Sequence, residues 1–187
     1  MQKTLRFVSF LATFAMALLL SGATGAWADS GSAARVYLLG VDPLCGLDPS
    51  ACPAVAMAAN GDTIELTGSG TLSIHPKSVS GGGTFTHKDS SGAVLGSGTW
   101  TATQLLAFKS YVVDPALGLP ENFDAGYTRM RVHLTPTSGG PGFDAILEVD
   151  CEFNLNPPGH AEGVRLAVQG GLNFNKKVSG FTLFIIP

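Results

Sequence analysis

Four histidines are the residues of this chain best suited by type to metal binding or acid–base chemistry: His75, His87, His133 and His160. A protein metal site needs three or four such ligands, often with a carboxylate, at bonding distance from one ion. The sequence has no His-x-His, HExxH or CxxC spacing. A divalent metal is therefore a minor hypothesis, with His75, His87, His133 and Glu148 as the group to test, and nothing in the sequence requires a cofactor.

Nucleophilic and glycosidic chemistry have weaker support. The sequence has no G-x-S-x-G motif, and Gly68-Ser69-Gly70 and Gly96-Ser97-Gly98 are typical of hairpins. Carboxylates such as Glu65, Asp150 and Glu152 lie on predicted strands, but no feature selects two of them as a glycosidase pair. Cys151 lies in the middle of an apolar strand face and is expected to be a buried free thiol.

The elements that must position these residues are strands. Between Gly61 and Ala102, β-forming runs alternate with breaks rich in Gly and Ser, which predicts a meander of consecutive antiparallel strands. The predicted strands of this stretch are Thr63–Thr67, Thr71–His75, Thr84–Lys88 and Ala93–Thr101. Strand alternation places His87 on the same, apolar face as Phe85.

Similar runs continue through the chain. Further predicted strands are Ala34–Val41, Thr103–Val113, Thr128–Thr135, Phe143–Phe153, Val164–Gln169 and Val178–Ile186, with a lid or rim loop between Asp114 and Gly126. Residues Ala54–Asn60 are interpreted as either a short helical turn or a linker. The fold class is therefore all-β, an antiparallel meander closing into a barrel, with a two-sheet β-sandwich as the alternative.

The clearest predicted hairpin joins Thr128–Thr135 to Phe143–Phe153 across the turn 137–142. Pairing its apolar positions sets Arg131 near Glu148 and Arg129 near Asp150. Two interpretations remain open for this charged face. It is either a solvated sheet face with weak ion pairs, or a polar barrel lumen that binds a ligand.

The N-terminus has the pattern of a secretory signal peptide. Lys3 and Arg6 precede an apolar run from Phe7 to Leu20, and Ala26-Trp27-Ala28 is a small-x-small cleavage site. The apolar run is shorter than the about 20 residues of a membrane-spanning helix. We therefore expect a signal peptide at 1–28, a single all-β domain at 29–187, a secreted or periplasmic location, and no membrane association after cleavage.

Charge limits the partners of the chain. Residues 1–28 hold two of the 11 Lys and Arg residues and none of the 14 Asp and Glu residues, so cleavage would shift the formal charge from −3 to −5. No cluster of Lys or Arg is present, which argues against nucleic acid as a partner.

Export also bears on the three cysteines. Because the compartment is oxidising and turn residues lie between Cys45 and Cys52, these two are expected to form a disulfide. Closing so short a loop stabilises by roughly 2.5 kcal/mol on the chain-entropy formula.

A small barrel either fills with side chains or holds one small ligand. The chain has 11 phenylalanines, several near predicted strand ends, which favours an apolar pocket. Polar groups that interrupt such a lining orient the ligand, and the candidates are His87, Tyr111 and Arg165. The leading hypothesis is therefore non-covalent binding of a small apolar or amphipathic molecule. The alternatives are a barrel enzyme, either a cofactor-free cyclase or isomerase or one dependent on a His-bound metal, and a structural or adhesive surface module.

Sequence resemblance adds to this interpretation. The stretch GTLSIHPKSVSGGGTFTHKDSSGAVLGSGTWTAT, with GFDAILEVDC and EGVRLAVQGG, resembles a group of uncharacterised bacterial secreted proteins, which implies no activity. More remotely, the Gly-punctuated meander with its G-T-F and G-T-W strands resembles the barrel of allene oxide cyclase and dirigent proteins. That likeness implies a barrel that guides an apolar substrate in its lumen without a cofactor. No functional residue of that family matches a position of this chain.

Overall fold

The structure is a computed structural model that describes residues 34–111, 113–153 and 160–187. Its strands are β1 (Ala34–Leu39), β2 (Ala54–Ala58), β3 (Thr63–Ile74), β4 (Lys77–Lys88), β5 (Val94–Ser110), β6 (Phe123–Asp124), β7 (Gly126–Pro136), β8 (Phe143–Cys151), β9 (Gly163–Val168), β10 (Asn173–Ser179) and β11 (Thr182–Ile185). A short helix α1 (Leu44–Leu47) and two 3₁₀ turns (Pro49–Ala51 and Pro115–Leu117) complete the described elements. None of the described helices is both long and apolar enough to cross a membrane. The predicted signal peptide, 1–28, lies outside the described residues.

The sheet closes on itself. Its hydrogen bonds run in a ring through β2, β10, β9, β8, β7, β5, β4 and β3, and from β3 back to β2. Strand β3 closes the ring because its first half pairs with β2 and its second half with β1. Strands β11 and β6 extend the sheet from β1. All pairs are antiparallel, so the all-β antiparallel prediction is confirmed, and the ring of eight strands makes the sheet barrel-like.

Several of the glycines predicted to separate strands lie inside them. Strands β3 and β4 pair without a register shift from Thr63↔Lys88 to Ile74↔Lys77, so the glycines between 68 and 83 belong to a continuous ladder. Their missing side chains make room for two rings. A Cβ at Gly68 would lie 2.4 Å from the Trp100 ring, and one at Gly70 would lie 2.5 Å from the Tyr37 hydroxyl. The break predicted between Thr67 and Thr71 is wrong because glycine here serves packing. The break predicted between Lys88 and Ala93 is confirmed, since β4 ends at Lys88 and β5 begins at Val94.

Trp100 and Tyr37 are held over this glycine surface by hydrogen bonds. The indole Nε1–H of Trp100 donates to the Thr67 carbonyl at 2.9 Å, and the Tyr37 hydroxyl donates to the Ser80 carbonyl at 2.9 Å. Both side chains are buried, at 2% and 0% exposure. The middle of the ring is therefore filled by side chains.

Three further boundaries differ from the predictions. Residues Ala54–Ala58, predicted as a helical turn or a linker, form β2, because alternate alanines are buried between β10 and β3. The two strands predicted on either side of Ala102 are one strand, β5, which has register shifts after Ala102 and Leu105. The predicted last strand is instead divided into β10 and β11 at Gly180, whose φ of +94° favours glycine.

The predicted hairpin is present as β7 and β8, and its apolar face is buried. Its register is two residues away from the prediction: Arg129 faces Glu148, and Tyr127 faces Asp150. The shift arises because the end of β7 stays paired with β5 beyond the point where its pairing with β8 ends. The Thr137 N–H, just after β7, donates to the Ser97 carbonyl of β5 at 2.8 Å. The charged residues lie on the outside of the ring, because Met130 and Leu147 of the opposite face are fully buried.

The cysteine predictions are confirmed. A disulfide joins Cys45 in α1 to Cys52 at the end of the 3₁₀ turn Pro49–Ala51, and Cys151 is a buried free cysteine.

Candidate functional site

One end of the ring opens into an apolar cleft of about 440 Å³, here termed the apolar mouth. Strands β3, β4, β5, β9 and β10 form it, together with the facing ends of β7 and β8 and the turns after β7 and β9. Its apolar side chains are Ile64, Phe85, Leu95, Leu134, Phe143, Val168, Leu172 and Phe174. Leu95 and Phe143 are unusual among large apolar residues because they are 58% and 47% exposed.

The mouth exists because a glycine stands where an inward side chain would otherwise lie. Ile64, His87 and Gly96 form one cross-strand row over β3, β4 and β5. A Cβ at Gly96 would have no atom within 4 Å, so this position borders open space. Two residues further along β5, Gly98 is packed against the Phe85 ring instead. The cleft thus ends where the filled middle begins.

His87 is the titratable side chain of the mouth lining, as the strand alternation predicted. Its Nε2 lies 3.2 Å from Oδ2 of Asp62, and its ring meets the edge of Phe174 with centroids 5.4 Å apart. The imidazole is about a quarter exposed, at 26%. The Asp62 carboxylate fixes one ring nitrogen, so the His87 side chain can offer the other to a polar group of a molecule in the cleft.

The opposite end of the same strands carries a buried group of polar side chains, here termed the polar junction: Tyr111, Asp150, His160, Glu162, Lys177 and Thr182. Its centre is the Asp150 carboxylate, whose side chain is 1% exposed. Lys177 Nζ donates to Asp150 Oδ2 at 2.9 Å, and the Tyr111 hydroxyl donates to Oδ1 at 2.9 Å. His160 Nδ1 lies 3.1 Å from Oδ2 and 2.6 Å from the Tyr111 oxygen. Three segments distant in sequence therefore meet on one carboxylate.

Glu162 ties further segments to this junction. Its carboxylate accepts the backbone N–H of Glu152 at 2.6 Å, and the backbone N–H and hydroxyl of Thr182 at 2.5 and 2.9 Å. Burial raises the pKa of Glu162 to about 7, against the opposing effect of these hydrogen bonds. Burial also lowers the pKa of Lys177, while its bond to Asp150 opposes that shift.

The chemistry of the junction is that of a structural connection. Burial, followed by the hydrogen bond to Asp150, raises the pKa of Tyr111, so its hydroxyl stays protonated and donates. Burial also raises the pKa of the Cys151 thiol well above its usual value, which keeps it from acting as a thiolate nucleophile.

The structure separates the three predicted ligand-binding residues. His87 lines the apolar mouth, and Tyr111 lies in the polar junction. Arg165 lies on the outside of the ring, where its Nη1 is 3.5 Å from Glu148 Oε2. The three do not surround one lumen, because the middle of the ring between its two ends is filled. Of the three, only His87 lines the apolar mouth.

The candidate metal ligands are dispersed as well. His75 lies at the β3–β4 turn, His87 is paired with Asp62, and His133 Nδ1 lies 2.8 Å from Asp144. Glu148 instead contacts Arg129, at 3.2 Å, and Arg165. Within the described ranges, no group of three His, Cys, Asp or Glu residues could hold a metal ion.

Sequence reasoning missed most of the polar junction. Asp150 and Glu152 were interpreted as members of a polar strand face, and Glu162 and Lys177 had no assigned role. A strand pattern shows which side of a sheet a residue occupies, but it does not show that another segment covers that side. One feature of the sequence does point to a buried polar group: Lys177 and Glu162 lie next to strands rich in apolar residues.

Comparison of the chain with protein-family models, with curated proteins and with solved structures gives no significant match in any of the three. The resemblances stated from the sequence stay predictions, and the site is interpreted from its own residues.

Proposed function

We propose that the protein is exported and binds a small apolar or amphipathic molecule non-covalently in the apolar mouth. The observation that carries this proposal is an open cleft of about 440 Å³ lined by apolar side chains from several strands. Pockets for small molecules in proteins have volumes of about 300–1,000 Å³, an apolar lining and a few polar groups. The mouth has this composition, with the His87–Asp62 pair as its polar part.

Exposed apolar side chains support the same proposal. Burial of apolar surface stabilises a protein by about 25 cal/mol for each Å² removed from water. Leu95 and Phe143 are exposed in the free protein and do not contribute this free energy. Contiguous exposed apolar residues on soluble proteins commonly mark a binding surface. A ligand in the mouth would cover these two side chains and recover that free energy. Export is supported by the Cys45–Cys52 disulfide, a bond that persists in oxidising compartments.

The first test fills the cleft without disturbing its walls. Gly96→Val adds side-chain atoms to a position whose Cβ meets nothing within 4 Å. We expect at least tenfold weaker binding of the apolar fluorophore N-phenyl-1-naphthylamine, measured by fluorescence titration. The free energy of unfolding should be unchanged or slightly increased, because a β-branched residue favours a strand. Thr99→Val, on the outer face of the same strand, is the control and should bind as the native protein does. Native-like binding by Gly96→Val would overturn the proposal.

The second test compares two equally exposed apolar residues. Phe143 lines the mouth, whereas Val178 lies on β10 outside it, and both are 47% exposed. Phe143→Asp should weaken fluorophore binding at least tenfold, and Val178→Asp should leave it within twofold. Equal losses in both variants would mean that the fluorophore adheres to exposed apolar surface in general. Native mass spectrometry of the protein purified from its own host then tests for a retained ligand.

A further inference from the structure

A second groove, polar in character, crosses the outside of the ring over β7, β8, β9 and β10; we term it the outer groove. It consists of two adjoining clefts of about 230 and 440 Å³ that share Ile146, Ala167 and Asn173. The shared residues make the two clefts one continuous depression. The groove adjoins the apolar mouth, because Val168, Gln169 and Phe174 line both. The floor residues Ile146, Ala167 and Asn173 line the groove and not the mouth.

Strand register explains the shape of the groove. Arg131 pairs with Ile146, Ile146 with Ala167, and Ala167 with Asn173, so the floor is one cross-strand row. Neighbouring strands are about 4.8 Å apart, and the row therefore spans roughly 14 Å. Short apolar side chains occupy the middle of the row. The adjacent row carries the longer Arg129, Glu148 and Arg165 side chains, which form one wall.

Unused guanidinium groups distinguish this groove from an ordinary sheet face. Within the described part of the chain, the exposed guanidinium of Arg131 has no hydrogen bond or ion pair. Arg165 makes one long contact with Glu148, and its buried Nε has no hydrogen-bond partner among the described residues. The Arg165 side chain as a whole is 36% exposed while its Nε is buried, so an incoming anion would meet the exposed part of the guanidinium. Arg131 is thus open to an anion, and Arg165 is held by one long contact. The carboxylates of Glu148 and Asp144 also line the groove, so an anion would bind at the arginines between them.

The remaining lining indicates the kind of anion. Gln169, Asn173 and Asn175 present amides that donate to and accept from hydroxyl groups. Ile146 and Ala167 give a small apolar floor suited to the C–H face of a sugar ring. Guanidinium groups bind carboxylates with paired hydrogen bonds. Stacked aromatic side chains and a basic stripe, which single-stranded nucleic acid needs, are not part of this lining.

We infer that the outer groove binds a short acidic oligosaccharide, made of uronic-acid units, that lies across the strands with carboxylates on Arg131 and Arg165. The Asn and Gln amides contact its hydroxyls, and its ring faces rest on Ile146 and Ala167. The two arginines and the apolar floor of this site lie outside the apolar mouth.

The test is isothermal titration of the full chain with hexagalacturonate, and with maltohexaose as a neutral oligosaccharide of equal length. We expect binding of hexagalacturonate that weakens with added salt, and at least 100-fold weaker binding of maltohexaose. Arg131→Gln and Arg165→Gln should each weaken hexagalacturonate binding at least tenfold. Lys109→Gln removes the same charge from an exposed position on β5 outside the groove, and should change binding by less than twofold.

A further variant acts at the floor. Ala167→Glu places a carboxylate at an exposed position between the two clefts, and should abolish hexagalacturonate binding while thermal unfolding stays native-like. Absence of hexagalacturonate binding by the native protein would overturn the inference. Equally tight binding of hexa-aspartate would overturn it too, because the groove would then recognise negative charge and not a sugar. Neither result depends on what the apolar mouth binds.

Discussion

The apolar mouth and the polar junction lie at opposite ends of the same strands. Strand β8 begins at Phe143 in the mouth and ends at Cys151 beside the junction. At the mouth, large apolar side chains remain in contact with water. At the junction, the charged side chains of Asp150 and Lys177 are removed from it, at 1% and 9% exposure. Each end therefore departs from the usual distribution of apolar and polar residues, in opposite directions.

The two departures have different consequences. Exposed apolar side chains cost little folding free energy, because they are in contact with water in the unfolded chain as well. A ligand that covers them removes this surface from water, which favours binding. Buried charges are stable only while every partner is present. Substitutions at the junction should therefore change stability, whereas substitutions at the mouth should change binding.

The largest expected effect is at the centre of the junction. Asp150→Asn removes the carboxylate to which the buried Lys177 ammonium donates, and should destabilise the protein by about 3–5 kcal/mol in urea unfolding. Lys177→Met should cost a similar amount. The double variant should lose less than the sum of the two, since each single change already breaks the same pair. Additive losses would show that the two side chains act separately and would contradict the junction as one unit.

The second effect is a dependence of stability on pH. The pKa of Glu162 is raised from 4.5 to about 7 in the folded protein, so between these values the unfolded chain loses a proton that the folded chain keeps. Stability therefore falls as pH rises from about 4.5 to 7, by up to about 3 kcal/mol from this group. Burial raises this pKa and outweighs the hydrogen bond from the Glu152 N–H and the charge of Lys177, which both lower it.

Urea unfolding at several pH values tests this slope. In Glu162→Gln the fall in stability between pH 4.5 and 7 should be largely removed. Glu121→Gln changes an exposed residue of the same type, and should keep the native slope. An unchanged slope in Glu162→Gln would assign the pH dependence to other groups.

The third effect concerns the filled middle that separates the two ends. A Cβ at Gly68 would lie 2.4 Å from the Trp100 ring and 2.6 Å from the Gly82 carbonyl oxygen. Gly68→Ala should therefore cost about 1–3 kcal/mol, as expected for overpacking. Gly92→Ala is the comparison: its Cβ would meet nothing within 4 Å, although its φ of +89° also strains alanine. A smaller loss in Gly68→Ala than in Gly92→Ala would contradict the packing role of the glycines.

The sequence predicted the fold better than the site, for a physical reason. Alternation along a strand reports which face a side chain occupies, so the all-β class and the inward position of His87 could be predicted. Glycine allows both turns and close packing, and nothing local distinguishes Gly68 under Trp100 from a hairpin break. The polar junction depends on contacts between segments far apart in the chain, such as Tyr111 with Asp150, which no local pattern encodes.

The smallest expected effect on stability is at His87, and it sharpens the difference between the two ends. The imidazole is partly exposed, so His87→Ala should change the free energy of unfolding by about 1 kcal/mol or less. Its expected effect is on a ligand with a polar head group, because a hydrogen bond to the imidazole is worth about 1 kcal/mol, or roughly fivefold in affinity. Displacement of N-phenyl-1-naphthylamine by 1-dodecanol should weaken by that factor, while binding of the fluorophore itself stays within twofold.

His87→Gln supplies the matched variant, because the amide keeps a hydrogen-bonding group at this position. It should recover most of the 1-dodecanol affinity that His87→Ala loses. If both variants weaken the alcohol and the fluorophore equally, His87 only shapes the apolar wall beside Phe174, and the mouth has no preference for amphipathic molecules. A large loss of stability in His87→Ala would instead show that the His87–Asp62 pair stabilises the fold, as the polar junction does.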